Sequence, residues 1–523
     1  MTKYKSTSEV MKIISDKDKI RNFGVIAHVD HGKTTMSDSL LAHSGIISPS
    51  TAGSALAMDS MKAEQERGIT IVQANVTLHY QQDDDDYVIN MIDTPGHVDF
   101  SGRVIRSLRA IDGAVVVCDA VEGIMTQTET VTRMSLEERV RPVLYINKID
   151  RLIKELRLTP EKMQETLAGV VANFNELIDT YAEDEYKEKW KVSIQDGSVT
   201  FGSAKDKWAI NVDIMKKKGV TFNDVIEAYS DSGKVEDLVE KAPLAEGVLG
   251  MVVKHHPPPH VAQKYRIPKI WKGDLESDTG KALLACDDNG PTIMMCVNMT
   301  IDPAAGPVAI GRLFSGTIKD GQTINIIDTK REGRVQSVNF FMSNVREQVG
   351  ELGAGNIPAL LGLTDVRAGQ TISTVKDIPV FEASKYVSEP VVQMAIEPKH
   401  PKDLPKLVEV LRKLTIDDIL IVSPYNAQVN FLAARLDKGA RVGTIDRFQG
   451  QEAPVSIISM TSSSVEDLPR NKAFILNRNR LNVAISRAQC SSIILFNPKL
   501  LLADCQKINE IRLVNNFCKL LKY

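Results

Sequence analysis

The chain has 523 residues, of which 43% are hydrophobic and 25% charged, and its formal net charge is −3. A length well above roughly 250 residues predicts several domains, because single hydrophobic cores seldom grow larger. The near-neutral charge excludes the strongly basic composition of a general nucleic-acid-binding protein. Apolar runs long enough for a signal peptide or a membrane span are lacking, which predicts a cytoplasmic protein without a membrane partner.

Cysteine and histidine spacing bears on metal and redox chemistry. The six cysteines, at positions 118, 286, 296, 490, 505 and 518, form no C-x-x-C pair. Most lie in apolar runs, which predicts buried, reduced thiols in a cytosolic protein. The nine histidines show no zinc-ligand spacing, so we expect no zinc site.

The first functional pattern is FGVIAHVDHGKTTMSDSLL, in which an apolar run turns through A-x-x-x-x-G-K-T into a helical pattern. This order of strand, loop and helix is the context of a phosphate-binding loop. Gly32 lets successive backbone N–H groups approach a phosphate, Lys33 can reach the β- and γ-phosphates, and Thr34 can hold Mg²⁺. The predicted nucleotide-binding residues of this loop are Ala27, His28, Val29, Asp30, His31, Gly32, Lys33, Thr34 and Thr35.

The segment YVINMIDTPGHVDF reads as a strand that runs into a turn. Its order predicts Asp93 at the metal, Gly96 with an N–H at the γ-phosphate, and His97 beside the attacking water.

Two further segments predict the pocket for the base. YINKID ends an apolar run with Asn147, Lys148 and Asp150. A carboxylate at position 150 can accept both N–H groups on the edge of guanine, whereas adenine presents the opposite pattern, so Asp150 would select GTP. FGSAK then supplies a backbone turn at Ser203, Ala204 and Lys205 for the guanine O6.

These motifs, together with EQERGITI, YRIPKIWKGDL, GRLFSGTIKDGQ and SEPVVQMAIEPKHP, resemble the archaeal and eukaryotic elongation factor 2 family of translational GTPases over about residues 1–414. The resemblance implies a monomeric enzyme that hydrolyses GTP to GDP and phosphate with Mg²⁺, and a ribosomal RNA partner. It also implies that His97, Lys33 and Thr70 are catalytic, and that Val29 and Ile69 form an apolar gate beside His97. The implied metal ligands are Thr34, Thr70 and Asp93.

The resemblance places an insertion at about residues 210–275 of a GTPase domain that spans 1–285. Within this stretch, HHPPPH at 255–260 is predicted to be a solvated, rigid loop. The DDDD run at 83–86 is predicted to be the exposed tip of a hairpin.

Residues 286–382 change to short alternating runs separated by Gly and Asp. This spacing predicts a closed antiparallel β-barrel, similar to the second domain of the family. Residues 383–414 resemble the truncated start of the family's third, α/β domain. Because the rest of that domain does not follow, we expect no completed ribosomal translocation.

Residues 415–523 alternate strand-like runs with helical patterns, which predicts a largely parallel sheet. PYNAQ, TIDRFQGQE and NRLNVAISRA resemble the second RecA-like lobe of superfamily 1 DNA or RNA helicases. By that resemblance an ATP cleft or a nucleic acid would be contacted by Gln428, Gln449, Gly450, Glu452, Arg480 and Arg487.

A helicase lobe of this kind needs a first lobe with its own phosphate-binding loop. The other Gly-Lys pairs, Gly233-Lys234 and Gly280-Lys281, lack the following hydroxyl residue. We therefore predict that Arg487 faces solvent without a phosphate to contact. The junction at Leu414 and Thr415 carries no Gly/Ser/Pro linker, which indicates a fused or mis-joined reading frame.

The predicted fold class is therefore α/β: a P-loop GTPase domain, an antiparallel β-barrel, a truncated α/β domain and a RecA-like lobe with a parallel sheet. Three functions stay open. The first is a GTP-hydrolysing, elongation factor 2-like protein that does not translocate. The second is a helicase component acting on nucleic acid through its tail, and the third is a chimera that only binds nucleotide.

Overall fold

The computed structural model describes residues 5–47, 73–94, 101–230, 233–302, 305–342, 345–382, 418–433, 440–445, 453–460, 478–495 and 513–515, and the single residues 436 and 448. These fall into two compact units, Met1–Glu382 and Ala383–Tyr523. Each unit has its own sheets and its own core.

The first unit contains a seven-stranded sheet with the order β2-β3-β1-β4-β5-β6-β7. Its strands are β1 (Ile20–Ala27), β2 (Ala74–Gln82), β3 (Asp85–Asp93), β4 (Gly113–Asp119), β5 (Arg141–Asn147), β6 (Val199–Ser203) and β7 (Trp208–Ile210). The five central strands pair in parallel, and β2 and β7 run antiparallel at the two edges. All residues of β1 and β4 are buried, which explains why these strands are continuous apolar runs.

The described residues in the first half of this unit form seven α-helices. They are α1 (Lys5–Ile13), α2 (Lys33–His43), α3 (Ser101–Ala110), α4 (Thr126–Glu137), α5 (Ile149–Lys154), α6 (Pro160–Tyr181) and α7 (Asp184–Trp190). Helix α2 buries Met36, Leu40 and Leu41 completely. Helix α6 begins with Pro160 behind Thr159, whose side chain accepts a hydrogen bond from the N–H of Lys162.

Six further helices follow β7. They are α8 (Val212–Lys218), α9 (Phe222–Ala228), α10 (Val235–Lys241), α11 (Leu244–His255), α12 (Pro259–Ile270) and α13 (Asp278–Ala285). Helix α11 belongs to the core of the seven-stranded sheet, since Val248, Leu249 and Val252 are fully buried in the same cluster as Phe23 and Val25.

The HHPPPH stretch is not the solvated loop that the sequence predicted. His255 is the last residue of α11, and His256 is only 2% exposed. A Cβ added to Gly113 would lie 2.2 Å from Cγ of His256, so the ring packs directly on the start of β4. The prediction was wrong because the three prolines connect two helices beside the buried sheet.

The acidic run at 83–86 forms the tip of the hairpin, as predicted: Asp83 and Asp84 make the exposed turn, and Asp85 and Asp86 begin β3. Its carboxylates pair with cations of the same unit, Asp85 with Lys19 and Asp83 with Lys217. Cys118, Cys286 and Cys296 are buried free thiols, as predicted, and burial raises the pKa of Cys286 and of Cys296 to about 12. The side chain of Cys490 and residues 505 and 518 lie outside the described part of the chain.

An antiparallel β region follows the helices, as predicted. Its eight-stranded sheet has the order β12-β11-β17-β8-β9-β16-β13-β14, and a two-stranded ladder joins β10 and β15. The strands are β8 (Ile293–Asp302), β9 (Gly306–Ser315), β10 (Thr317–Lys319), β11 (Thr323–Ile326), β12 (Arg331–Arg334), β13 (Ser337–Met342), β14 (Val345–Gln348), β15 (Glu351–Gly353), β16 (Ala359–Leu361) and β17 (Thr371–Ser373). They enclose a core that includes Leu313, Ile324, Val338 and Leu360.

A buried polar cluster joins the two sheets of the first unit. Asp112 accepts hydrogen bonds from Asn22 at 2.9 Å, from Arg312 of β9 at 2.9 Å and from Arg266 of α12 at 3.2 Å. Asn22 also donates to the carbonyl oxygen of Gly355 at 3.0 Å. Because Asp112 and both arginines are at most 1% exposed, this carboxylate is the compensating charge for two buried cations.

The second unit contains a four-stranded parallel sheet with the order β19-β18-β20-β21. Its strands are β18 (Ile419–Val422), β19 (Arg441–Gly443), β20 (Ala453–Ser459) and β21 (Ala488–Leu495), with helices α14 (Asn426–Ala433) and α15 (Arg478–Ile485). Leu420, Ile458, Leu481 and Ala484 share its core. The prediction of a parallel sheet in the tail is confirmed. Among the helices that the structure describes, none combines the length and apolar character needed to cross a bilayer.

Candidate nucleotide-binding site

The loop between β1 and α2 has the backbone of a phosphate cradle. Gly32 has a φ of 92° and Asp30 a φ of 66°, both in the left-handed region. A Cβ at Gly32 would lie 2.2 Å from Nδ2 of Asn147, so only glycine fits this position. Helix α2 begins immediately afterwards at Lys33, and its N-terminal N–H groups face the loop.

Lys33 and Asp93 lie together at the start of α2. The Lys33 ammonium donates to Oδ1 of Asp93 at 2.8 Å and to the carbonyl oxygen of Thr94 at 2.7 Å. Asp93 ends β3, which pairs in parallel with β1, so the two residues come from neighbouring strand ends. The Lys33 side chain is 8% exposed and that of Asp93 is 0% exposed.

The remaining loop residues surround this pair. Ala27 is the last residue of β1, and His28, Val29, Thr34 and Thr35 are half-buried. Thr34 lies one residue after Lys33 in the first turn of α2, and its hydroxyl and the Asp93 carboxylate are the hard oxygen donors that suit Mg²⁺. Groups of three or more His, Cys, Asp or Glu side chains near enough to hold a metal ion do not occur in the described ranges.

Two histidines of this loop pack against each other with ring centroids 5.1 Å apart. His31 is fully buried, and its Nδ1 accepts the backbone N–H of Asp119 at 3.2 Å. Burial, with the nearby His28, lowers the pKa of His31 below its ordinary value. His31 therefore stays neutral near pH 7 and braces the loop against the end of β4.

Asn147 connects the phosphate loop with the predicted base loop. Its Nδ2 donates to the carbonyl oxygen of His31 at 2.8 Å. Its Oδ1 accepts the backbone N–H of Ala204 at 2.8 Å and the hydroxyl of Tyr145 at 3.2 Å. A single buried side chain thus fixes three segments relative to one another.

Asp150 lies in the first turn of α5 and is 8% exposed. Its Oδ1 is buried and has no hydrogen-bond partner among the residues that the structure describes. Burial and the charge of Asp206 raise the pKa of Asp150, although hydrogen bonding by Ser203 acts in the opposite direction. An acceptor that is buried and unsatisfied is costly for a protein, and it marks a place where a ligand donor fits.

The segment 203–205 lies at the tip of the hairpin formed by β6 and β7. Ser203 pairs with Trp208, so residues 204–207 form the turn. Ser203 and Ala204 are buried, whereas the Lys205 side chain is exposed. The structure therefore brings Ala204 to Asn147 and Ser203 to Asp150.

Lys148 has a φ of 63°, and its ammonium lies 3.0 Å from Oδ2 of Asp119. Arg151 contacts the same oxygen at 2.7 Å. Burial acts to raise the pKa of Asp119, but the N–H of Val121 and the Lys148 ammonium outweigh it and hold the pKa below its ordinary value. Asp119 was not among the predicted site residues, although its position directly after the apolar run VVVC was a usable signal.

Several predicted residues fall outside the described part of the chain. Of the phosphate side of the site, these are Ile69, Thr70, Gly96 and His97, and of the tail they are Gln449, Gly450 and Glu452. Their roles remain predictions.

The tail residues that are described belong to the second unit. Gln428 is half-buried in α14, and Arg480 is half-buried in α15. The Arg487 guanidinium donates from Nε to the carbonyl oxygen of Val483 at 3.1 Å and from Nη2 to Oγ of Ser486 at 3.1 Å. Arg487, which follows the end of α15, is thus held partly by a carbonyl oxygen of that helix.

Comparison with known families assigns the segments that carry this site. A family model described as the elongation factor Tu GTP binding domain matches residues 18–258. The matched segment contains the predicted site residues from Ala27 to Lys205 and also α11, so the segment α8–α10 lies inside the matched range.

Two other segments match different families. A model described as elongation factor Tu domain 2 matches residues 306–373, which lie in the antiparallel β region. A model described as an AAA domain matches residues 399–499, which include the parallel sheet of the second unit. This match is in keeping with the predicted helicase-like tail.

Similar proteins over most of the chain are elongation factors. The chain is 82% identical to elongation factor 2 of Cenarchaeum symbiosum (strain A) over 418 residues, which is 80% of this chain and 57% of that relative. It is 54% identical to elongation factor 2 of Sulfurisphaera tokodaii over 424 residues and 52% identical to that of Saccharolobus islandicus over 433 residues. These matches cover 58% and 59% of the two relatives, so the chain spans less than two thirds of the curated relatives it matches.

Proposed function

We propose that the first unit binds GTP and GDP with Mg²⁺ and hydrolyses GTP to GDP and phosphate. The observation that carries the proposal is the buried, unpartnered Oδ1 of Asp150 beside the Ser203–Ala204 turn. Asn147 ties that turn to the phosphate loop, so a base at Asp150 and a phosphate at Gly32 would be held by one set of contacts.

Selection of guanine follows from the charge of Asp150. A carboxylate accepts both N–H groups of the guanine edge, and the backbone of the 203–205 turn can donate to O6. Adenine would leave the carboxylate facing a lone pair, and a buried acceptor without a donor costs about 1–3 kcal/mol per group. The site therefore discriminates against ATP mainly through the polar groups that the wrong base leaves unpaired.

The phosphate side supplies positioning and positive charge. The loop amides around Gly32 and the Lys33 ammonium would hold the β- and γ-phosphates, with Lys33 exchanging its contact with Asp93 for phosphate oxygen. Thr34, Asp93 and Thr70 are the residues that would hold Mg²⁺. The metal ion supplies charge neutralisation on the phosphates when it is bound.

His97 is proposed to orient the attacking water from the segment after Asp93. A neutral imidazole near pKa 6.5 is a weak base for water itself, so its contribution is to hold the water in line with the γ-phosphate. Val29 and Ile69 would control the approach of this histidine. We expect slow hydrolysis by the isolated chain.

Nucleotide turnover tests the proposal. The wild-type chain should hydrolyse GTP in magnesium buffer and should not hydrolyse ATP, and Asp150→Asn should abolish GTP and GDP binding. Asp184→Asn is a matched control, because Asp184 is an exposed carboxylate of α7 outside the site. Equal turnover of GTP and ATP by the wild-type chain would refute the proposal.

We further propose the ribosome as the partner of the first unit, because the similar proteins are named elongation factor 2. Addition of archaeal ribosomes should accelerate GTP hydrolysis, and His97→Ala should remove that acceleration. We expect no completed translocation, since the described elements from residue 418 onward form a parallel sheet matched by an AAA-domain model. Codon movement measured on programmed ribosomes would contradict this expectation.

A second candidate function belongs to the tail. The AAA-domain match and the parallel sheet of β18–β21 favour a nucleotide-dependent lobe that acts on nucleic acid together with a separate first lobe. Gln428, Gln449, Glu452, Arg480 and Arg487 would face that partner. ATP hydrolysis that depends on added single-stranded DNA or RNA would support this function, and its absence with every nucleic acid tested would count against it.

A further inference from the structure

The hairpin turn that carries Ser203 and Ala204 has a second set of contacts, made by residues without an assigned role. Asp206 in this turn donates its backbone N–H to Oγ of Ser203 at 3.1 Å. The Ser203 oxygen is thereby engaged as an acceptor, which leaves its O–H available as the donor toward Asp150. The conformation of Asp206 therefore bears directly on the residue that accompanies the predicted base reader.

The side chain of Asp206 is held by a chain of two donors, Tyr229 and Trp208. Tyr229 donates its hydroxyl to Oδ2 of Asp206 at 2.5 Å, and Trp208 donates its indole N–H to the Tyr229 hydroxyl at 2.7 Å. Trp208 is fully buried at the start of β7. Burial and Asp206 raise the pKa of Tyr229, so the phenol stays protonated and remains a donor.

Lys154 connects these contacts to α5, the helix that carries Asp150. It is the last residue of α5, and its ammonium lies 3.8 Å from Oδ2 of Asp206 and 4.5 Å from the centroid of the Tyr229 ring. Asp150 opens the same short helix. Helix α5 and these contacts thus link Asp150, through Lys154 and Asp206, to Ser203.

The segment α8–α10, between β7 and α11, is hydrogen-bonded to the hairpin of β6 and β7 at two places. Tyr229 follows α9 directly, and the chain returns at Ala242 and Leu244. Both residues are hydrogen-bonded to the hairpin. The backbone N–H of Ala209 donates to the carbonyl oxygen of Ala242 at 3.0 Å, and the backbone N–H of Leu244 donates to the carbonyl oxygen of Lys207 at 3.0 Å. These two sets of hydrogen bonds therefore hold the hairpin whose turn carries the predicted base contacts.

We propose that Tyr229, Trp208 and Asp206 are positioning residues that hold the 203–207 turn against Asp150 and thereby set the affinity for the guanine base. None of the three touches the phosphate loop in the described contacts, so they act on the base half of the site. The inference rests on the proposed binding of GTP and GDP.

Tyr229→Phe in the full chain is the direct test, because it removes only the hydroxyl and keeps the ring. Titration calorimetry should give Kd values for GTP and GDP about tenfold higher than in the wild-type chain, about 1.4 kcal/mol for one charge-assisted hydrogen bond. The Kd for magnesium tripolyphosphate, which has no base, should not change. Tyr181→Phe is the matched control, since Tyr181 donates to Glu129 at 2.8 Å on α6, and it should leave all three Kd values unchanged.

Two variants of Asp206 keep the test decisive if Tyr229→Phe does not fold. Asp206→Ala should raise the Kd for GTP about tenfold. Asp206→Asn retains an acceptor for the Tyr229 hydroxyl, so its Kd for GTP should stay within about twofold of the wild-type value. Unchanged GTP affinity in Asp206→Ala, or an equal loss for GTP and tripolyphosphate, would overturn the network. A wild-type chain that binds tripolyphosphate but shows no preference for GTP over ATP would instead refute the proposed function, and the network with it.

Discussion

The side-chain amide of Asn147 donates to the carbonyl oxygen of His31 at 2.8 Å and so ties the end of β5 to the loop after β1. The Oδ1 atom of the same side chain accepts a hydrogen bond from the backbone N–H of Ala204. The phosphate half and the base half of the candidate site therefore share one buried side chain, which is 1% exposed. Neither half can shift without breaking a hydrogen bond of Asn147.

Replacement of Asn147 by alanine should raise the Kd for GTP about 10- to 100-fold. The variant leaves the carbonyl oxygen of His31 and the N–H of Ala204 without partners, and each unsatisfied buried group costs about 1–3 kcal/mol. Titration calorimetry with GTP measures the change. Asn175→Ala is the matched control, because Asn175 also bridges a backbone N–H and carbonyl, those of Val192, but on α6. A Kd for GTP that is as low in Asn147→Ala as in Asn175→Ala would contradict the bridge.

Replacement of Asp150 by asparagine should exchange the preferred base. An amide at this position can donate to the C2 carbonyl of xanthine, whereas a carboxylate repels it. Xanthosine triphosphate should then bind the variant. The affinity for GTP should fall at least about 100-fold, because the buried carboxylate that accepts both N–H groups of guanine is lost. Competition between the two nucleotides for each protein measures the exchange. If the variant still prefers GTP, Asp150 does not read the base.

Replacement of Asp112 by alanine should destabilise the first unit by about 3–5 kcal/mol, because it leaves Arg266 and Arg312 buried without a compensating charge. Urea unfolding followed by tryptophan fluorescence reports on this unit, since all three tryptophans lie within residues 1–382. The control is Glu332→Ala, which removes an exposed ion pair with Lys376 and should have little effect. Similar unfolding midpoints for the two variants would show that the buried cluster does not join the sheets as described.

His256 should make the first unit sensitive to acid. Burial, and then the charges of Arg141, His255 and Arg21, lower the pKa of His256 well below its ordinary value. The unfolded chain takes up a proton at about pH 6.5, whereas the folded chain does not. The stability that depends on neutral His256 is thus fully present above pH 6.5 and is lost as the pH falls, by about 1.4 kcal/mol per pH unit.

His256→Leu should flatten this part of the pH dependence. The measurement is the free energy of unfolding between pH 7.5 and pH 5.5 from tryptophan fluorescence in urea. His79→Gln, in the exposed hairpin beside Asp86, serves as the control and should keep the wild-type slope. An equal slope in His256→Leu and in the wild-type chain would assign the acid sensitivity to other groups.

Arg487→Ala should leave GTP turnover unchanged. Arg487 belongs to the second unit, and its guanidinium is hydrogen-bonded to Val483 of α15 and to Ser486. Steady-state GTP hydrolysis by the full chain gives the comparison, with Lys33→Ala as the variant that should lose activity. A fall of tenfold or more in Arg487→Ala would mean that the tail supplies an arginine to the GTP site.

The sequence was informative where a function requires adjacent residues. The A-x-x-x-x-G-K-T loop, the NKID segment and the SAK turn each lie at the end of a strand, and the structure brings Lys33, Asn147 and Ala204 to one edge of the sheet. Parallel strands meet with their carboxyl ends at one edge, so the order of these motifs was enough to predict their proximity.

Contacts between distant residues could not be read from the sequence. Asp112 and Arg312 are 200 positions apart, and Tyr229 reaches Asp206 from a separate helix. Each residue alone reads as an ordinary surface polar group. The burial of His256 was missed for a similar reason, because three following prolines indicate a loop but say nothing about the glycine of β4 on which the ring packs.

The ratio of the Kd values for ATP and GTP, measured with the purified full chain in magnesium buffer, tests the central claim most directly. A base pocket built around a buried carboxylate predicts that GTP binds about 10⁴-fold more tightly than ATP. A ratio near one would contradict the account, because Asp150 would then not contact the base.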